Sequence, residues 1–239
     1  MSATLTAAKL VTAPVVAASA GSIFAARRRP AASTISVLQH LAAGIVIAAV
    51  AGEVLPDLRD RHSLAATLIG FVIGVAALLA LSRFEASVER SRPTTGFPAA
   101  MLVALCVDLF IDGTLVGTGA ALGEGQGRIL TIALTFEILF LGLSLTGELT
   151  ERGLTAPRAA LVTIAASLTT VLGALVGAAL LSHANNATQA GVLAFGSAAL
   201  LYLVTEELLV EAHDTADGPL HIIMFFVGFI ALFTLEGLL

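Results

Sequence analysis

Three carboxylates interrupt apolar segments of the chain and could bind a cation. Asp108 and Asp112 lie four residues apart in CVDLFIDGTLVG, and Glu137 lies in the next apolar segment, TIALTFEILFLGLSL. Residues four apart on an α-helix share a face, so both aspartates can address one small volume. A charge at the centre of a bilayer costs about 2.5–3.5 kcal/mol, so such groups normally face a polar pathway or a partner. The three acids are therefore the first candidate metal ligands.

The chemistry of these side chains favours hard cations. Carboxylate oxygens suit magnesium, calcium and manganese, although zinc and cadmium also accept them. The single cysteine, Cys106, excludes an internal disulfide, and no Cys-rich or His-rich tract occurs. An alternative interpretation is that the acids are protonated or hydrogen-bonded and serve only to specify helix packing. Because neither segment contains Arg or Lys, we expect a bound cation or proton to neutralise them.

Other polar residues could line a passage to these ligands. Ser144 and Glu148 follow Glu137 by near-whole numbers of helical turns, so the three side chains form one stripe. The acids near the ends of the second and seventh apolar segments are predicted to have an interfacial or exit role. The predicted secondary pathway consists of Glu53, Ser144, Glu148, Glu207 and Glu211.

The elements that position these acids are transmembrane helices. Mean hydropathy is +0.97, 57% of the residues are hydrophobic and only 12% are charged. This composition indicates an integral membrane protein whose partner is the lipid bilayer. Abundant Gly and Ala suit close helix contacts in lipid. The sequence therefore predicts an all-α membrane protein, not a soluble enzyme and not a nucleic-acid-binding protein.

Eight apolar runs are long enough to cross a hydrocarbon core of about 30 Å. They make up a single predicted transmembrane domain, residues 1–239, and lie near 5–26, 34–55, 63–82, 98–121, 129–148, 156–183, 189–210 and 219–239. The first run could also be a cleaved signal sequence, because Lys9 precedes an apolar stretch and small residues. The arginines at 27–29 favour a spanning helix instead.

The distribution of basic residues predicts the orientation. With eight helices and both termini outside, eight arginines lie on the cytoplasmic side and three lie outside, which follows the positive-inside rule. The longest polar connection, residues 83–97, is then a cytoplasmic loop. We expect a multi-pass protein of the inner membrane.

Three segments of the chain carry recognisable helix patterns: HLAAGIVIAAVAGEVLPDL, LLYLVTEELLVEA and GFIALFTLEGLL. They resemble the second, seventh and eighth helices of the ZIP (Zrt/Irt-like) divalent-metal transporter family. The family's metal motifs, HNxPDG and HExPEG, align with DLFIDG at 108–113 and EILFLG at 137–142.

This resemblance also suggests how the metal site differs from that of the family. Asp112 matches the motif aspartate, Asp108 and Glu137 replace the first histidine of each motif, and Leu109 and Leu141 replace ligands. The resemblance thus implies one compact site of three carboxylates rather than a two-metal centre, or a degenerate site that has lost transport.

The resemblance further implies a three-plus-two-plus-three arrangement of helices, with pseudo-symmetric outer triplets and a transport core made of the fourth and fifth helices. It implies a homodimer and a divalent metal substrate: zinc, cadmium, manganese or iron. Two other functions stay open. One is a non-transporting membrane protein with a packing or metal-sensing role, and the other is a proton-coupled carrier of a small organic solute.

Overall fold

The prediction of an all-α protein with eight spanning helices is confirmed. The computed structural model describes residues 2–28, 30–90, 99–213 and 218–238, and within these ranges it contains no strand. Eight of the described helices are long and apolar enough to cross a membrane. They are α1 (Ala3–Arg27), α2 (Ala32–Asp60), α3 (Leu64–Arg90), α4 (Ala99–Leu122), α5 (Glu124–Glu151), α6 (Ala156–Leu181), α7 (Asn186–Leu208) and α8 (Pro219–Glu236).

One boundary differs from the prediction. Residues 83–97 were expected to form a loop, but α3 continues to Arg90. Its last residues, SRFEASVER, include several good helix formers and contain neither Gly nor Pro, so nothing ends the helix there. Residues 91–98, which include Pro93 and Gly96, lie outside the described ranges. The polarity of the segment therefore did not predict that its first part, residues 83–90, is helical.

Glycines allow α4 and α6 to approach closely. Gly113 and Gly117 form a GxxxG motif on α4, and Gly173 and Gly177 form another on α6. A Cβ atom on Gly113 would collide with the backbone carbonyl oxygen of Thr170. In lipid, where helices gain little from the hydrophobic effect, such backbone contact stabilises helix pairs by van der Waals packing. This pair fixes the helix that carries Asp108 and Asp112.

Three other close pairs complete a symmetric pattern. Beside α4–α6, the most extensive contacts are α1–α5, α2–α8 and α3–α7. Glycines lie at each of these contacts too, for example Gly142 against Ala18 and Gly44 against Phe225. The set of pairs is unchanged when α1 is exchanged with α6, α2 with α7, α3 with α8 and α4 with α5. The helices therefore form two pseudo-symmetric triplets around a central pair, which is the expected three-plus-two-plus-three arrangement.

Two π-helical turns lie at corresponding places in the triplets. One is Val50–Val54 in α2 and the other is Val204–Leu208 in α7. The first contains Glu53 and the second contains Glu206 and Glu207. Isolated π-turns often occur at functional sites, because the wider turn redirects side chains. Since α2 and α7 run in opposite directions, their acids lie at opposite ends of the bundle.

A polar network closes one end of the bundle, where α2 ends and α7 begins. The guanidinium of Arg61 donates to Asp57 Oδ2 at 2.6 Å and to Gln189 Oε1 at 2.7 Å. The side chain of Asn186 donates to the Arg61 carbonyl oxygen at 2.7 Å. These bonds join the α2–α3 connection to α7, and we call this end of the molecule the Arg61 end.

Candidate metal centre

The three predicted ligands converge in the middle of the bundle. The packing of α4 against α6 leaves the face with Asp108 and Asp112 directed toward α5, which contributes Glu137. One carboxylate oxygen from each residue lies within 4.8 Å of the others. This is the only set of three or more His, Cys, Asp or Glu side chains in the described ranges with such close ligand atoms. The separation suits one shared cation.

Two of these carboxylates are almost completely buried. Asp112 is 2% exposed and Glu137 is 3% exposed, whereas Asp108 is half-buried. The Oδ2 atom of Asp112 and the Oε2 atom of Glu137 have no hydrogen-bond partner among the described residues. Buried polar atoms normally have a partner, and leaving one without it costs about 1–3 kcal/mol. A cation between the carboxylates would satisfy both atoms.

The surrounding charges add to the negative potential of the centre. Asp108 and Glu207 lie within electrostatic range of Glu137, and Glu207 also lies within range of Asp112. Apolar side chains enclose the rest of the centre, and Leu109 and Ile138 are fully buried beside the ligands. Charge interactions are stronger in such a medium than in water. Ionised carboxylates held together in such a medium repel one another unless a cation or proton neutralises them.

A cavity of about 410 Å³ leads from the carboxylates to one end of the bundle. Asp108 and Glu137 line its inner part, and the other lining residues come from the ends of α3, α5 and α7 and the first turns of α2 and α4. These helix ends are opposite the Arg61 end. On the Arg61 side of the carboxylates, Leu115, Leu130 and Leu134 are fully buried. Among the described residues, these leucines close the Arg61 side of the centre, whereas the cavity reaches it from the opposite end.

The structure brings together part of the predicted secondary pathway. Ser144, Glu148 and Glu207 line the cavity, and Glu148 accepts hydrogen bonds from the Arg152 guanidinium at 2.8 and 3.0 Å. Glu53 does not join them, because the repeat places its π-turn toward the Arg61 end, within electrostatic range of Glu236. The side chain of Glu211 lies outside the described part of the chain.

One known protein family matches the part of the chain that contains this centre. The family model described as ZIP Zinc transporter matches residues 92–236, which contain α4 to α8 and all three carboxylates. The chain belongs to the ZIP family. The resemblance drawn from the sequence motifs is thereby confirmed, and ZIP proteins are divalent metal transporters rather than enzymes. No curated protein sequence matches the chain.

Within the ZIP framework, the cavity contains polar residues that the sequence motifs did not identify. Gln39 is 3% exposed and lines the cavity, as do Tyr202 and Glu206. The polar pair Gln39–His40, at the start of the apolar part of α2, was the available signal for Gln39. Successive residues on an α-helix point about 100° apart, yet Glu206 and Glu207 both line the cavity, and both lie in the π-turn of α7.

Proposed function

We propose that the chain carries divalent cations across the membrane through the centre formed by Asp108, Asp112 and Glu137. The observation that carries this proposal is the convergence of three carboxylates at the inner part of a cavity, which two of them, Asp108 and Glu137, line. Family membership supports transport of a divalent metal in general. The unpartnered oxygens of the two buried acids support this particular site.

The contacts between helices suggest how the site is exposed. Helices α1, α4, α5 and α6 contact one another extensively, as do α2 with α8 and α3 with α7, whereas contacts between these two groups are fewer. The cavity lies between the groups, with α4 and α5 on one side and α2, α3 and α7 on the other. A relative movement of the groups that opened the Arg61 end and closed the cavity would give alternating access. In this proposal, the structure is the form in which the carboxylate centre is open at the cavity end and closed at the Arg61 end.

We further propose that the cavity opens toward the cytoplasm. Arg27, Arg28, Arg83, Arg152 and Arg158 lie at the cavity end, and basic residues favour the cytoplasmic side. This orientation places both termini outside, and the inner membrane is the proposed location.

Cysteine labelling tests the orientation. After Cys106→Ser removes the only native thiol, Ser182→Cys places one thiol directly after α6, at the Arg61 end of the bundle. Thr95→Cys places one thiol in the segment that the sequence predicts to be cytoplasmic. In intact cells, an impermeant maleimide should label the variant with Cys at 182 and should label the variant with Cys at 95 only after permeabilisation. Labelling at 95 in intact cells would reverse the proposed topology.

A site made of carboxylates without histidine suits manganese and magnesium better than it suits zinc. Purified protein in proteoliposomes should therefore accumulate at least one ion from a panel of zinc, cadmium, manganese, iron and magnesium. Protein-free vesicles provide the background. If the folded protein moves none of these ions, the non-transporting function replaces the proposal.

A carrier of an organic solute is disfavoured because five carboxylates line the cavity: Asp108, Glu137, Glu148, Glu206 and Glu207.

A single transmembrane domain over residues 1–239 is part of the proposal, with 5–26 as a spanning helix. The buried face of α1, which includes Ala18 and Ser22, packs against α5 and supports this assignment. A homodimer stays a prediction, and light scattering of the purified protein, corrected for detergent, measures it. A monomeric mass under transport-competent conditions would contradict it.

A further inference from the structure

Three exposed arginines lie where α1 and α6 reach the end of the bundle at which the cavity opens. Arg27 ends α1, Arg28 follows it, and Arg158 lies in the first turn of α6. None of the three guanidinium groups makes a hydrogen bond or an ion pair within the described ranges. We call these three residues the arginine corner, and their charges are available to an anion from outside the chain.

The packing of α1 against α6 brings the arginines to the same level of the bundle. The two helices are antiparallel, and Val11 of α1 lies in one buried cluster with Ala174 of α6. The number of residues from Val11 to Arg27 on α1 equals the number from Arg158 to Ala174 on α6. The rest of α1 also contacts α6. Since each residue of a helix rises by about 1.5 Å, Arg27 and Arg158 end at levels within about one helical turn of each other.

Few negative charges oppose the arginine corner. Residues 1–52, which include α1, and residues 152–205, which include α6, contain no Asp or Glu. In the described part of the chain, the nearby acids are Glu148 and Glu151 at the end of α5, which packs beside both helices. Glu148 is paired with Arg152, with 2.8 Å between its Oε1 atom and the guanidinium. The charge at this corner is therefore positive.

Exposed apolar side chains lie next to the arginines on the membrane side. Ile23 and Phe24 are 40% and 52% exposed, and they lie one helical turn before Arg27 on the same face of α1. Leu161 is 67% exposed and lies one turn after Arg158 on α6. This surface therefore combines an apolar part at the depth of lipid acyl chains with a positive edge at the depth of lipid headgroups.

We propose that the arginine corner binds the phosphate of an anionic phospholipid whose acyl chains lie along α1 and α6. Guanidinium groups match the geometry of phosphate oxygens, and basic residues at the ends of spanning helices attract anionic lipids. A phospholipid covers the positive edge and the apolar side chains together, whereas an acidic soluble partner would cover only the charges. The two helices belong to the group that contains α4 and α5. The lipid therefore holds the cavity end of that group at the membrane surface.

Photo-crosslinking tests the lipid site without measuring transport. The full-length protein is reconstituted in phosphatidylcholine nanodiscs with a trace of a photoactivatable lipid, either phosphatidylglycerol or phosphatidylcholine. Mass spectrometry then identifies the labelled peptides. We expect phosphatidylglycerol to label the ends of α1 and α6 at the arginine corner about tenfold more than phosphatidylcholine does, because the attraction of several arginines accumulates. Equal labelling by the two probes would mean that this is an ordinary lipid-facing surface and would overturn the proposal.

Substitutions show whether the preference belongs to this corner. Arg158→Gln should lower the excess of phosphatidylglycerol labelling by about fivefold, and Arg158→Lys, which keeps the charge, should retain most of it. Arg83→Gln is the matched control, because Arg83 is an exposed arginine at the same end of the bundle but lies on α3, which packs against α7. Its labelling should be unchanged. An equal loss in the Arg83→Gln and Arg158→Gln proteins would contradict a site at the corner.

An excess of inorganic phosphate distinguishes a lipid from a soluble anion. It should leave the labelling by phosphatidylglycerol unchanged, because the lipid is also held by its acyl chains. Displacement of the probe by inorganic phosphate would mean that the arginines bind a soluble anion and would exclude the lipid. None of these outcomes bears on whether the carboxylate centre transports.

Discussion

Asp112→Asn and Glu137→Gln are each expected to reduce metal uptake into proteoliposomes by about thirtyfold or more. Each substitution keeps the shape of the side chain and removes its negative charge. Losing one partner of a buried charged contact costs about 2–5 kcal/mol, which accounts for a loss of this size. Asp60→Asn is the matched control, because Asp60 is an exposed carboxylate at the far end of α2. It should transport like the unmodified protein.

The same variants separate transport from a packing role through their stability. Without metal, Asp112 and Glu137 are buried close together, and each has an oxygen atom without a hydrogen-bond partner among the described residues. A neutral amide relieves the repulsion between them, so thermal unfolding of the metal-free variants should occur at the same temperature or higher. Residues that exist for function often reduce stability in this way. Lower stability together with intact uptake would mean that the acids serve helix packing and that the pathway lies elsewhere.

Local properties of the sequence were enough to predict the membrane fold and the three central acids. A long apolar run predicts a membrane-spanning helix. In lipid, the backbone N–H and C=O groups find no water, and a helix pairs them all within one segment. The spacing of Asp108 and Asp112 gave their common face, because helical geometry is regular in that part of α4. Glu137 was found because an isolated acid in an apolar segment is costly.

The remaining features depend on tertiary contacts. Both Glu206 and Glu207 line the cavity beside Leu203, but the sequence of α7 does not say which of its faces the cavity lies against. Glu53 has a similar local sequence, yet the antiparallel repeat places it at the Arg61 end. Gln39 lines the cavity because α2 packs beside α7, a contact that the sequence of α2 alone does not predict. Periodicity within one helix gives a face, but the residues that meet across the cavity are determined by how the helices pair.

Restoring family ligands to the centre should shift its metal preference toward zinc and cadmium. By the motif resemblance, Asp108 and Glu137 align with histidines of the ZIP motifs, and Leu141 aligns with the glutamate of the fifth-helix motif. All three line the inner part of the same cavity, and Leu141 lies one helical turn after Glu137. Asp108→His with Glu137→His supplies imidazole nitrogens, and Leu141→Glu returns a carboxylate to the ligand set. The three changes together rebuild a mixed nitrogen and oxygen site.

Competition uptake measures the effect. The ratio of zinc to manganese transport should rise by about tenfold or more, since metal sites respond on that scale to changes in their ligand shell. The matched control combines the same two histidines with Leu141→Gln, which has nearly the same volume as glutamate but no charge. It should gain less, because a neutral amide is a weaker ligand than a carboxylate for a divalent cation. If the triple variant folds and transports but its metal ranking is unchanged, positions 108, 137 and 141 do not select the ion, and the carboxylate centre is not the selective step of the pathway.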